Sequence, residues 1–171
     1  IRALPAGHSL WVERGGKKQQ QAFLELNRVF TATDPSEARI DPAEARQCLH
    51  DALLDSVRHH LIADVPVGVF LSAGLDSTTV AALARESGVQ ELRTLTLGFN
   101  EFAGTENDEV PLAETVARQL GTNHQTRWVD RQDFADQYQG LLDAKDQPSI
   151  DGVNSYFVAK AAHDAGLKVA L

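Results

Sequence analysis

Ser72, Asp76, Ser77 and Thr78 crowd into one short stretch between an apolar run and an Ala/Leu-rich one. Hydroxyl groups can donate to an anion, and the small residues Ser72, Ala73 and Gly74 let an anion approach the main chain closely. Asp76 places a carboxylate where a phosphate would bind, which makes sense only with a divalent cation between them. The chemistry on offer is therefore the binding of Mg²⁺-pyrophosphate. The expected binding residues are Leu71, Ser72, Ala73, Gly74, Leu75, Asp76 and Ser77, with Asp76 the Mg²⁺ ligand. No general base is expected among them.

The elements that must position these residues are legible on either side. Residues 67–71 are almost wholly apolar and read as a buried strand, and the run from Thr78 reads as a helix. A strand, a tight loop and a helix start aim several backbone N–H groups and the positive end of a helix dipole at one point. There is no Gly-Lys-Ser/Thr at the helix start, and no second and third glycine at the dinucleotide-fold spacing. The stretch resembles instead the Ser-Gly-Gly-x-Asp-Ser signature of the ATP pyrophosphatases, which split ATP to AMP and pyrophosphate. Ala73 replaces the first glycine, so the loop must hold it at an ordinary backbone conformation. A Ser/Gly turn capping a helix is the plainer reading, and it leaves both the strand and Asp76 to coincidence.

Composition sets the bounds. The 171 residues suffice for one domain with a core and a fragment of another. Hydrophobic content of 43% and charged content of 23% are ordinary for a soluble protein. No apolar run approaches the roughly 20 residues of a membrane span. A net charge of −8 repels polyanions and argues against a nucleic-acid surface. The single Cys48, with no secretory leader pattern, favours a reducing compartment, the cytoplasm. Cys48 falls in an amphipathic pattern and reads as a small buried side chain. The histidines show no metal spacing, and the adjacent His59 and His60 point to different sides of any helix.

In chain order, residues 1–30 read as short β pieces: strand and turn over 1–8, weak alternation over 9–13, and a turn at Gly15-Gly16. Residues 31–40 read as a linker. Asp41-Pro42-Ala43-Glu44 starts a helix to about residue 60, with Leu49, Leu53, Val57 and Leu61 as its apolar stripe. A helix over 78–86 should stop at Gly88, followed by a strand over 92–99. Gly98 is either a plain strand glycine or one that lets a flat ring approach the backbone. Adenine is expected against the strand ends at Leu71 and at Leu97 and Gly98. Glu106-Asn107-Asp108-Glu109 opens a helix to residue 120, with Pro111 in its first turn. A strand over 124–129 leads to a helix capped by Asp130, whose Phe134, Tyr138 and Leu141 share a face. A polar loop carrying Asp146 and Asp151 precedes a helix over 153–165, which Asp151 is placed to cap, and a last strand occupies 167–171. This order predicts an α/β fold, an open parallel sheet with helices on both faces and a ligand site at the carboxyl ends of its strands.

The chain is identified as similar to the glutamine-dependent asparagine synthetases and the related β-lactam synthetases. The carrying stretches are Asp64 through Ser77, Thr96-Leu97-Gly98-Phe99, Glu114 through His124, and Asp146-Gln147-Pro148-Ser149-Ile150-Asp151 with Tyr156. The resemblance implies an adenine nucleotide alpha hydrolase-like, PP-loop fold, with ATP and Mg²⁺ as cofactors. It implies activation of a carboxylate, aspartate by default, as an acyl-adenylate that ammonia from glutamine then converts to an amide. It also implies that residues 1–30 are the end of an N-terminal glutaminase domain, and that 41–171 are the first part of a synthetase domain truncated at Leu171. In the family that glutaminase carries a terminal Cys nucleophile, whereas residue 1 here is Ile, so the rest of the glutaminase is expected to be absent, and the family's Ser-Gly-rich Asp-Glu motif would come after Leu171. Such a piece is expected to be inactive by itself, and the full-length protein to form a homodimer. Asparagine-forming members tend to carry Thr and Arg where this chain has Gln147-Pro148-Ser149-Ile150, which leaves room for a relative acting on another carboxylate or closing a lactam. From other classes, the alternatives are a nucleotide-binding piece without turnover and a flavin-binding α/β module, whose fingerprint is missing.

Overall fold

A computed structural model describes residues 2–31, 41–145, 149 and 151–171. The chain divides into two compact units, Ile1–Gln47 and Cys48–Leu171. The boundary falls inside a helix, beyond the expected linker. Residues 32–40 of that linker lie outside the described residues, as do Asp146, Gln147, Pro148 and Ile150.

In the first unit β1 (His8–Val12) and β2 (Lys18–Ala22) form an antiparallel hairpin, with His8 opposite Ala22 and Val12 opposite Lys18. A short helix α1 (Leu26–Thr31) follows. Two expectations are corrected here. Residues 2–7 form no strand, because Pro5 donates nothing to a ladder and Gly7 turns at φ +69°. That turn lets the Gly7 carbonyl accept from both Phe23 and Leu24 and close the hairpin. Residues 26–31 are helical rather than a β piece.

The second unit holds the sheet. Its leading helix is α2 (Pro42–His60), whose first turn is capped by the Asp41 carboxylate accepting from the Ala43 N–H. Then come β3 (Val67–Phe70), α3 (Leu75–Glu86), β4 (Arg93–Phe99), α4 (Val110–Leu120), β5 (Asn123–Val129), α5 (Arg131–Ala144), α6 (Gly152–Asp164) and β6 (Val169–Ala170). The strands lie in the order β5-β4-β3-β6, every pair parallel. The chain leaves β3 in one direction through β4 and β5, then returns to its other side with β6. That reversal marks the crevice where open α/β sheets take ligands.

Alternation along the strands divides the core between two faces. Val69 and Leu71 pack with Leu54 and Val57 of α2, Ala81, Leu83 and Ala84 of α3, and Ala113 and Ala117 of α4. Phe70, Leu95 and Leu97 pack instead with Ala161 and Ala162 of α6. Helices thus cover both faces, and each fully buried Val or Leu contributes on the order of 2 kcal/mol. Asp130 caps α5 as expected, and the structure extends the cap to a capping box, Asp130 and Asp133 each accepting from the other's backbone N–H. Of its proposed face Leu141 is buried, whereas Phe134 and Tyr138 are exposed, their rings 6.0 Å apart and tilted by 52°.

The apolar stripe of α2 also differs from expectation. Leu54 and Val57 are buried and Leu61 packs beside them, but Leu49 is 60% exposed and Leu53 39%. Steps of four residues drift about 40° per step around a helix, so four apolar residues so spaced cannot all face one core. Steps of three and four alternate to stay on it. Cys48 is exposed, not buried, since it too lies off that stripe. Among the described residues, no helix is long and apolar enough to cross a membrane.

Candidate active site

The strand β3 ends at Phe70, Leu71 is 2% exposed, and the chain then turns through Ser72, Ala73 and Gly74 directly into α3. The loop is shorter than expected, because Leu75, Asp76 and Ser77 already form the helix's first turn. No described non-glycine residue has positive φ, so Ala73 sits in ordinary backbone as required. Gly74 is needed for space rather than dihedral freedom. Its φ is −71°, but a Cβ there would come within 3.0 Å of the Ser72 hydroxyl.

Two hydroxyls shape the loop. The Ser77 Oγ accepts from the Ser72 N–H at 3.0 Å, lies 2.8 Å from the Ser72 Oγ, and reaches the Ser72 and Gly74 carbonyls at 3.2 and 3.3 Å. The Ser72 Oγ in turn accepts from the Gly74 N–H. Gly74 offers α3 no side-chain cap, and the first intrahelical bond is donated by Thr78. The N–H groups of the first turn are thus left to an external acceptor at the positive end of the helix.

A cleft of about 700 Å³ opens at the carboxyl ends of β3 and β4. Of the expected site residues, Leu71, Ser72, Ser77, Leu97 and Gly98 line it together. Ala73, Gly74, Leu75 and Asp76 belong to the loop and first turn without lining the cleft. Leu75 is 82% exposed. The Asp76 carboxylate is also exposed and makes no hydrogen bond or ion pair among the described residues. An unengaged carboxylate beside an anion loop fits a Mg²⁺ ion, which binds through one or two carboxylates plus phosphate oxygens and water.

Sequence reasoning missed much of the wall: Phe70, Thr96, Phe99 and Phe102, the turn at Asn107, Asp108 and Glu109 with Val110, and Val153, Asn154 and Val158 of α6. Asp108, one residue before the N-cap Glu109 of α4, accepts from the Val110 N–H, so the acidic stretch that predicts a helix start also forms part of the wall. Asp151 reaches the cleft, and the expected cap is not made. It holds the N-cap position of α6 with φ −80° and ψ −4°, and its side chain makes no capping bond. Capping needs an extended residue, and this one is helical. Gly98 gives a second surprise. A Cβ there would lie 2.7 Å from the Trp128 ring and 2.8 Å from Val110 Cγ2, so the flat ring against its backbone is an indole of the protein itself.

No Lys or Arg lines the cleft among the described residues, while Asp108, Glu109 and Asp151 do. Any polyanion entering must be met by N–H dipoles and by a cation it brings with it. The sequence pattern of the asparagine synthase family matches residues 48–171. This chain belongs to the asparagine synthase family. An asparagine synthetase of Bacillus subtilis is 33% identical over 116 residues, 67% of this chain and 18% of that protein. A second from the same organism is 31% identical over 112 residues, 59% of this chain and 18% of the relative. The amidase chyE of Penicillium rubens is 26% identical over 185 residues, 99% of this chain and 27% of its own length. The chain therefore spans about a fifth to a quarter of the length of the proteins it matches.

Proposed function

We propose that the protein containing this chain is an ATP-dependent amide-forming ligase, in which residues 41–171 hold the nucleotide and residues 1–30 are the end of a glutaminase domain. A substrate carboxylate oxygen attacks the α-phosphorus of ATP, the bond to the β-phosphate oxygen breaks, and pyrophosphate leaves. Ammonia from glutamine then attacks the acyl carbon, AMP departs, and the surplus proton goes to water. The Ser72–Ser77 turn receives the pyrophosphate through the N–H groups of the α3 first turn, with the Ser72 and Ser77 hydroxyls able to donate. Adenine lies along Leu71, Leu97 and Gly98. When bound by Asp76 and phosphate oxygens, Mg²⁺ would neutralise charge on the leaving group. No acid or base from the described residues is required.

The observation that carries this reading is an uncapped helix start behind a serine-rich turn, in a cleft to which no described Lys or Arg contributes. Such a site suits a nucleotide accompanied by a divalent cation better than a bare polyanion. Aspartate is the acceptor suggested by the asparagine synthetase relatives. A different carboxylate is suggested by the amidase relatives, since chyE and the amidase chry2 of Gibberella zeae align along 99% and 96% of the chain. Carboxylate-dependent exchange of labelled pyrophosphate into ATP by the full-length protein tests both. Exchange with aspartate identifies an asparagine-forming enzyme, and exchange with other carboxylates alone identifies the second reading. No exchange with any carboxylate would overturn adenylate formation.

A further inference from the structure

We propose that the Thr96 hydroxyl is a positioning group for the phosphate turn, holding the end of β3 from which the turn departs; the link to catalysis rests on the nucleotide reading above. Ladder pairing between β3 and β4 ends with Phe70 opposite Leu95. Leu71 comes next, and β4 grips it at both polar groups. Its N–H donates to the Leu95 carbonyl at 2.9 Å, and its carbonyl accepts from the Thr96 hydroxyl at 2.5 Å. Thr96 is 3% exposed. A buried carbonyl without a partner is costly, and at Leu71 the chain is already turning out of the sheet. The side-chain hydroxyl meets that need where the regular ladder stops.

Packing does not explain the choice of threonine, since valine has the same branched shape and suits a strand as well. Thr94 makes the comparison sharp. It is the other buried polar residue among those described, on the same face of the same strand, yet its hydroxyl pairs with Thr122 and His124 and touches nothing in the turn. A shift of about 1 Å at a reacting group can cost on the order of a hundredfold in rate, so a loosened Leu71 carbonyl should register at the turn that begins one residue later.

The test uses the full-length protein with Thr96→Val, Thr96→Ser and Thr94→Val, following amide hydrogen exchange at residues 72–77 together with ATP–pyrophosphate exchange. Thr96→Val should speed hydrogen exchange in the turn and lower kcat about tenfold. Thr96→Ser should restore both to within about twofold, and Thr94→Val should lower the melting temperature without either change. Unaltered hydrogen exchange in Thr96→Val, or a loss that Ser does not repair, overturns the proposal. So does faster hydrogen exchange with kcat unchanged, which would make Thr96 a prop for the fold alone. If the wild type exchanges no pyrophosphate with any carboxylate, the functional reading falls, and the turn's hydrogen exchange still decides whether Thr96 holds it.

Discussion

At the scale of single residues, two carboxylates carry the sharpest expectations. Asp76 is exposed and unengaged among the described residues, so Asp76→Asn removes nothing the fold uses. The melting temperature of the full-length protein should stay within about 1 °C, while pyrophosphate release falls by orders of magnitude at saturating ATP. A variant within a few-fold of wild type would remove Asp76 from the metal site. The sequence places Asp151 to cap α6, and the helical backbone at that position removes that role. Asp151→Asn and Asp151→Ala should therefore melt alike. If the carboxylate faces the acceptor, both should raise its Michaelis constant about tenfold, roughly 1.4 kcal/mol, with the constant for ATP little changed. A marked stability loss in Ala that Asn repairs would reinstate the cap.

Between elements, two histidines tie the second unit together with opposite pH signatures. His50 of α2 meets the Glu86 carboxylate at the end of α3 at 3.0 Å and Asp51 at 3.2 Å. The bond to Glu86, and secondarily that to Asp51, raises the His50 pKa above its ordinary value. Its contribution is then present in full below about pH 6.5 and lost as the pH climbs through the raised folded value. The melting temperature of Glu86→Gln should lag the wild type most in mild acid and converge with it in alkali; a constant gap would sink the assignment. His124 slopes the other way. It sits between the Thr94 and Thr126 hydroxyls on β4 and β5, with Glu114 of α4 accepting from Thr126. Burial holds its pKa below the ordinary value, and Glu114 only partly opposes this. Its neutral form stabilises above about pH 6.5, and that support fades as the pH falls. Replacing His124 by Gln should narrow the acid-side loss of stability.

For the molecule as a whole, the cleft joins the first turns of α3, α4 and α6, which leave the carboxyl-end side of the sheet at different points in the chain. ATP with Mg²⁺ should slow hydrogen exchange at all three helix starts in the full-length protein, and ATP with a chelator should protect them far less. Protection of α3 alone would mean that the ligand rests on the turn without entering the cleft. Much of this was legible in the chain itself. The strand, turn and helix from Val67 to Glu86, the helix cap at Asp130, and the alternation of strands and helices depend on interactions between near neighbours, and near neighbours are what periodicity and capping patterns report. Tertiary structure decided the rest. It set β6 beside β3 and so made the crevice, and it put a tryptophan against Gly98. It spent the Thr96 hydroxyl on a carbonyl 25 positions away in the chain, and freed Asp151 for the cleft by giving it helical dihedrals. Each depends on a partner brought close only by the sheet, and spacing along a sequence holds no record of such a partner.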